Sequence, residues 1–128
     1  MGIWSFVGIG IGATLGAWLR WVLGLWLNPL LPSLPLGTLA ANLSGGYLMG
    51  IAIAWLLPHQ ALPMELRLAL VTGFLGALTT FSAFSAEAVA LIGRGAWLWL
   101  LGYLGAHVLG TLGMTGLGIA SVHYLQAR

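Results

Sequence analysis

Residues 73–85 of the chain read GFLGALTTFSAFS. Gly73 and Gly76 weaken a helix here, and the adjacent Thr79 and Thr80 have stiff side chains that compete for backbone hydrogen bonds. The stretch lies near the middle of a long apolar segment. A helix break at that depth frees backbone carbonyls, which need a cavity, another chain or a bound cation. We therefore predict a helix broken near its middle, with a kinked but continuous helix as the alternative.

Four apolar segments, including the one around this stretch, make up almost the whole chain. Of its 128 residues 60% are hydrophobic and 5% are charged, whereas soluble domains carry about 25% charged residues. Small chains bury too little surface to hide so many apolar side chains, and each segment approaches the ~20 residues of a spanning helix. We predict an all-α integral membrane protein, with one domain over residues 1–128 and four transmembrane helices at about 3–27, 36–57, 66–92 and 96–125.

Composition excludes several other classes of protein. There is no cysteine, hence no disulfide framework or thiolate metal site, and the net charge of +2 is too small for a nucleic-acid-binding surface. The first apolar run lacks a basic leader and exceeds a signal-peptide core, so we interpret it as a membrane helix. No phosphate loop, metal-ligand spacing or nucleophile–base pattern is present. We predict no nucleic-acid partner and no enzyme activity.

The basic residues give no preferred orientation in the membrane. With four spans both termini lie on one side, which holds Arg67 and Arg128, while Arg94 and Arg20 belong to the opposite side. Two basic residues on each side leave the positive-inside rule without a preference. Either the chain inserts both ways and pairs antiparallel, or its orientation is fixed by other means.

Small residues recur every four positions on two of the predicted helices. Such faces let helix backbones approach closely in lipid. They are Gly8, Gly12 and Gly16 on the first helix, and Gly102, Ala106 and Gly110 on the fourth. We expect them to be packing surfaces, and they indicate no particular function.

Polar residues form a one-sided stripe on each of two helices. They are Thr38 and Asn42 on the second helix, and Tyr103, His107, Thr111 and Thr115 on the fourth. Polar groups inside a membrane are expensive, so their placement is informative. The stripes either line a narrow wet path or hold the bundle together by interhelical hydrogen bonds. His107 alone is equally compatible with a satisfied core residue, and one histidine makes no metal site.

Several side chains favour an anion as the species on such a path. Phe81 and Phe84 lie three apart, and ring edges are positive, although such pairs are more often simple packing. The Asn42 amide offers two donors, unless it bonds a neighbouring helix. Arg20 either pairs with Glu87 or, alone, raises the local anion concentration. We expect no carboxylate on the path, because the only acid within the spans, Glu87, lies near one end.

Three motifs resemble the Fluc (CrcB) family of fluoride channels. They are the glycine, alanine, arginine and tryptophan pattern within residues 12–21, GTLAANLSG at residues 37–45, and the quoted stretch at residues 73–85. The resemblance covers nearly the whole chain. It implies a dual-topology antiparallel homodimer, multi-pass in the cell (inner) membrane, that exports fluoride passively through two pores.

The resemblance also implies a set of site residues. Those on or near the fluoride path are Asn42, Phe81, Phe84, Ser82, Thr38, Tyr103 and Thr111. Arg20 is implied as an anion vestibule, and the backbone carbonyls of Gly76 and Thr79 from both subunits as ligands of a structural Na⁺ at the dimer centre. The chain departs from the family at Ala83, where threonine is usual, and at His107, where a small hydroxyl residue is expected.

Two other functions compete with a fluoride channel. A small proton-coupled multidrug transporter also has four spans, but it needs a carboxylate deep in the membrane, and the first helix has none. A non-transporting assembly protein would account for the glycine faces, but it would leave the polar stripes and the irregular third helix without a purpose.

Overall fold

The computed structural model describes residues 2–60 and 62–128, and over those residues all regular structure is helical. The helices are α1 (Ile3–Leu27), α2 (Leu36–Leu56), α3 (residues 64–78), α4 (Phe81–Gly93) and α5 (Trp97–Gln126). Four segments are long and apolar enough to cross a membrane: Ile3–Leu30, Leu36–Leu56, Met64–Gly93 and Trp97–Gln126. The predicted all-α architecture with four spans is confirmed. The third span begins at Met64, whereas the sequence placed its start at about residue 66.

Proline and glycine set the ends of the spans. α1 gives way to a 3₁₀ turn at Asn28–Leu30 that contains Pro29, because proline has no N–H for a helical bond. The Asn28 side chain accepts a 2.8 Å hydrogen bond from the Gly37 N–H and so joins the end of α1 to the start of α2. Between α4 and α5, Gly95 has a φ of 66°, a conformation open mainly to glycine.

α1 packs on α3 through its glycine face. A Cβ on Gly12 would overlap the carbonyl oxygen of Ala69, and one on Gly16 would overlap that of Phe74. Ala69 and Phe74 belong to the π-helical part of α3, Ala69–Leu75. The glycine face of the first span thus brings two backbones together, as predicted. On the predicted face of α5, a Cβ on Gly102 would meet no atom within 4 Å among the residues that the structure describes.

α2 packs on α5 through a second pair of glycines. A Cβ on Gly50 would overlap the Thr115 carbonyl oxygen, and one on Gly118 would overlap that of Tyr47. The Tyr47 hydroxyl donates a 3.1 Å hydrogen bond to Ser121 Oγ. This close approach places the polar residues of α2 beside those of α5.

Two extended residues divide the third span. Thr79 has φ −85° and ψ 152°, and Thr80 has φ −151° and ψ 122°. α3 ends before them and α4 begins after them, with the Thr80 hydroxyl capping α4 by accepting a 3.1 Å bond from the Ala83 N–H. The helical hydrogen-bond pattern therefore stops at this point, where α1, α2 and α5 supply the surroundings.

Candidate functional site

The Asn42 carboxamide pairs with the backbone of Thr80. Asn42 Nδ2 donates to the Thr80 carbonyl at 3.0 Å, and the Thr80 N–H donates to Asn42 Oδ1 at 2.8 Å. The amide thereby replaces the helical partners that Thr80 lacks, which inside a membrane would be costly to leave unsatisfied. The second hydrogen of Nδ2 faces His107 Nδ1 at 3.2 Å. Both amide hydrogens of Asn42 are therefore already engaged within this chain.

Arg20 reaches the same interruption from α1. Its Nε donates a 3.0 Å hydrogen bond to the carbonyl of Ala77, in the last turn of α3. The side chain lines an open pocket of about 490 Å³ together with Trp21 and Asn28. A pairing of Arg20 with Glu87 was one of two expectations, and among the described residues no such pair forms. A free carbonyl at the helix end holds the guanidinium instead.

Glu87 lies among the predicted path residues, contrary to the expectation that no carboxylate would be there. Its Oε1 accepts a 2.6 Å bond from the Thr38 hydroxyl, and its Oε2 accepts one from the Tyr103 hydroxyl. Both donors are buried. The stripes of α2 and α5 thus converge on a carboxylate of α4, and the hydroxyl hydrogens of Thr38 and Tyr103 are both engaged with it.

Four aromatic rings form a continuous cluster beside these groups. Phe84 stacks on Tyr103 at 5.4 Å with an angle of 12°, and it meets Phe81 and His107 in tilted contacts at 5.4 and 4.8 Å. Phe84 is buried, whereas Phe81 is 78% exposed. The cluster therefore runs from the interior of the helix bundle to its surface.

An open groove of about 540 Å³ lies along the interruption. Its walls are Asn42, Gly76, Thr79, Thr80, Phe81, Phe84, His107, Val108, Thr111 and Leu112. The groove brings together four of the predicted path residues and both predicted sodium ligands. Of the remaining path residues, Thr38 and Tyr103 are buried on Glu87, and Ser82 is exposed, with its Oγ 3.2 Å from Thr80 Oγ1.

Two backbone carbonyls in the groove have the character of hard-cation ligands. The Thr80 N–H donates to Asn42, so the Gly76 carbonyl loses the donor that a continuous helix would supply. The Ala83 N–H likewise donates to the Thr80 hydroxyl and not to the carbonyl of Thr79. Oxygen is the ligand that hard cations prefer, so the donor set fits the implied Na⁺.

Thr80 is the site residue that sequence reasoning missed. The signal was present, because a threonine before an apolar helical run is a helix N-cap, here at the start of α4. His107, expected as a member of the polar stripe of the fourth span or as a core residue, lines the groove and contacts Asn42.

These features define a four-span membrane protein with a polar groove at an interrupted helix. The chain belongs to the CrcB family, since residues 7–119 match the family described as CrcB-like protein, Camphor Resistance (CrcB). It is 56% identical to a protein of Nitrosospira multiformis over 98% of both chains. It is 57% identical to one of Bordetella pertussis over 94% of this chain and 93% of the relative. Both are named fluoride-specific ion channel FluC.

Proposed function

We propose that this protein is a fluoride-selective channel that exports fluoride passively and so lowers its cytoplasmic concentration. The observation that carries the proposal is the groove, where the predicted path residues Asn42, Phe81, Phe84 and Thr111 line one surface. Relatives of closely similar length, more than half identical to the chain, are named fluoride-specific channels. External fluoride enters cells partly as the neutral acid and ionises inside, so a passive exit suffices.

The chemistry of the groove suits a small, strongly hydrated anion. A selective pore must replace hydrating water with donors and positive edges at close range. The rings of Phe81 and Phe84 offer edges, and the hydroxyls of Ser82 and Thr111 offer donors. Thr38 and Tyr103 bind Glu87 by hydrogen bonds. In the proposed fluoride path, these three residues lie at the end that faces away from the chain termini.

The proposed functional unit is an antiparallel homodimer with dual topology and two pores, in the cell (inner) membrane. Phe81 is exposed although it belongs to the aromatic cluster, and the groove beside it is open along one side. A second copy of the chain would cover both. The equal number of basic residues on the two sides supports insertion in both orientations.

Two charged features complete the proposal. The carbonyls of Gly76 and Thr79 from two subunits would hold a structural Na⁺, which supplies fixed positive charge at the dimer centre. Arg20, in its open pocket, would raise the local anion concentration as a vestibule residue. The bond from Arg20 to Ala77 links that vestibule directly to the interruption.

Fluoride efflux from liposomes carrying the purified protein tests the function directly. A fluoride electrode should record rapid efflux, and a chloride electrode on chloride-loaded vesicles should record none. Absence of fluoride efflux from folded protein would overturn the proposal. Proton-coupled cation transport would then be assayed, for which Glu87, bonded to Thr38 and Tyr103, is the candidate carboxylate.

A further inference from the structure

A second groove, here called the Arg67 groove, lies where α2 ends and α3 begins. It is open on one side and has a volume of about 520 Å³. It shares no lining residue with the groove along the interruption of the third span. Its walls are Leu57, Met64, Arg67, Leu68, Val71 and Thr72.

The length of the third span places the Arg67 groove at the boundary between lipid headgroups and hydrocarbon. The span Met64–Gly93 has 30 residues, whereas about 20 residues cross the hydrocarbon core. The first residues of α3 therefore extend into the headgroup layer, and Arg67 lies in the first turn. Thr72 is five residues further on, about 8 Å along the helix axis. The groove thus leads from a cation among the headgroups towards the acyl chains.

Arg67 carries a positive charge that the described residues do not neutralise. Its Nε is buried and has no hydrogen-bond partner among the residues that the structure describes. The chain has only two acids, Glu65 and Glu87. Glu65 is exposed and lies two positions from Arg67 on the same helix, a spacing at which side chains do not face each other. Glu87 is bonded to Thr38 and Tyr103.

The other walls of the Arg67 groove are almost entirely apolar. Leu68 and Val71 are half-buried, while Leu57 and Met64 are 43% and 54% exposed. α1 does not cover them, because it contacts α3 through other residues, such as Ala69. One cation beside a strip of exposed apolar side chains matches the two parts of an acidic phospholipid, its charged headgroup and its acyl chain.

We propose that the Arg67 groove binds one anionic phospholipid of the surrounding bilayer, with its phosphate at Arg67 and one acyl chain along Leu68 and Val71. Basic pockets beside membrane helices bind acidic lipid headgroups in this way. A zwitterionic lipid has the same chains and the same phosphate, but its ammonium group offsets the phosphate charge. The bound lipid contacts the end of α2 and the start of α3, so it stabilises the connection between the second and third spans.

Native mass spectrometry of the detergent-purified protein tests this proposal independently of fluoride. The protein is titrated with dioleoyl phosphatidylglycerol or with dioleoyl phosphatidylcholine, which have identical acyl chains. The ratio of the two apparent dissociation constants therefore reports the effect of headgroup charge. We expect phosphatidylglycerol to bind about fivefold more tightly or better, as one arginine near an anionic lipid surface provides.

Three substitutions assign that preference to one side chain. Arg67→Gln should abolish the preference for phosphatidylglycerol, whereas Arg67→Lys retains the charge and should preserve it. Arg128→Gln is the matched control, because Arg128 is exposed, lies outside the groove and stacks on the Tyr124 ring. Equal binding of the two lipids by the wild type would overturn the proposal. A preference that survives Arg67→Gln, or that Arg128→Gln lowers as much, would also overturn it.

Leu68→Trp tests the acyl-chain position, and it tests the same site if Arg67→Gln does not fold. The larger side chain fills the groove while the charge of Arg67 remains, so both lipids should bind more weakly. Wild-type binding of both lipids by Leu68→Trp would overturn the placement of the chain along the groove. Retention of neither lipid by the wild type would indicate that a second copy of the chain covers the groove, which would also overturn the proposal.

Discussion

Asn42 and Thr80 exchange two hydrogen bonds across the gap between α2 and the third span, at 2.8 and 3.0 Å. The Asn42 side chain thus supplies the two backbone hydrogen bonds that Thr80, which is extended, does not receive from a helix. This relationship makes the backbone of Thr80 dependent on a residue of another helix.

Replacement of Asn42 by leucine should therefore lower both stability and fluoride flux. It leaves the N–H and the carbonyl of the half-buried Thr80 without partners, at up to about 1–3 kcal/mol for each group. Thermal unfolding in detergent followed by tryptophan fluorescence would report the loss. Ser44→Ala is the control, because the Ser44 hydroxyl bonds only to Ala41 of its own helix. Equal melting temperatures for the two variants would contradict the role assigned to Asn42.

Phe81→Ile should slow fluoride efflux far more than it lowers the stability of the fold. Phe81 is 78% exposed within the subunit, so little intramolecular packing is lost, while an aromatic edge disappears from the groove. Phe6→Ile is a matched control at 76% exposure on α1. Equal efflux rates for Phe81→Ile and Phe6→Ile would mean that Phe81 only makes apolar contacts and does not contribute to the fluoride path.

Gly16→Ala should destabilise the protein by about 1–3 kcal/mol or more, because the added methyl group overlaps the Phe74 carbonyl oxygen. Gly10→Ala, one face away on the same helix, meets no neighbour within 4 Å and should leave the melting temperature unchanged or slightly higher. A tolerated Gly16→Ala would mean that α1 and α3 separate easily.

Tyr103→Phe should lower the free energy of unfolding by about 1.5–3 kcal/mol, the range for hydrogen bonds to charged groups. The ring and its stacking on Phe84 remain, so the loss reports the bond to Glu87. Tyr47→Phe removes a neutral bond to Ser121 and should cost only about 0.5–1.5 kcal/mol. Chemical unfolding monitored by fluorescence would rank them, and the reverse order would argue against a carboxylate acceptor.

Exchange of Na⁺ for N-methylglucamine during a prolonged dialysis should reduce fluoride efflux or dimer stability. N-methylglucamine is too large to bind between the carbonyl oxygens of Gly76 and Thr79, and it is not a metal ion that these oxygens could coordinate. Size-exclusion chromatography and the efflux assay would follow the change, with readdition of Na⁺ as the control. Unaltered behaviour after complete exchange would remove the cation from the proposal.

The spans were predictable from sequence because hydropathy and span length are local properties. The four apolar runs predict the helices to within a few residues, and the glycine spacing on α1 predicts a close packing surface, although not that its partner is α3. The doubled threonine and the glycines around it likewise point to the place where Thr79 and Thr80 are extended.

The partners of the polar groups were not predictable, because they depend on distances between spans. Opposite charge made Glu87 one possible partner for Arg20, yet Arg20 donates to a backbone carbonyl and Glu87 accepts from two hydroxyls. Asn42 looked like a source of free donors, and both of its amide hydrogens are engaged. The hydrogen-bond partner of each polar side chain is therefore determined only when the helices pack together.

The pairing of Asn42 with Thr80 also bears on how the chain is made. Synthesis runs from the N-terminus, so α2 enters the bilayer before residue 80 leaves the ribosome. When the weak third span arrives, the amide that satisfies its backbone is already in place. The order of the helices along the gene therefore places the amide of Asn42 in the chain before the backbone groups of Thr80 that it satisfies.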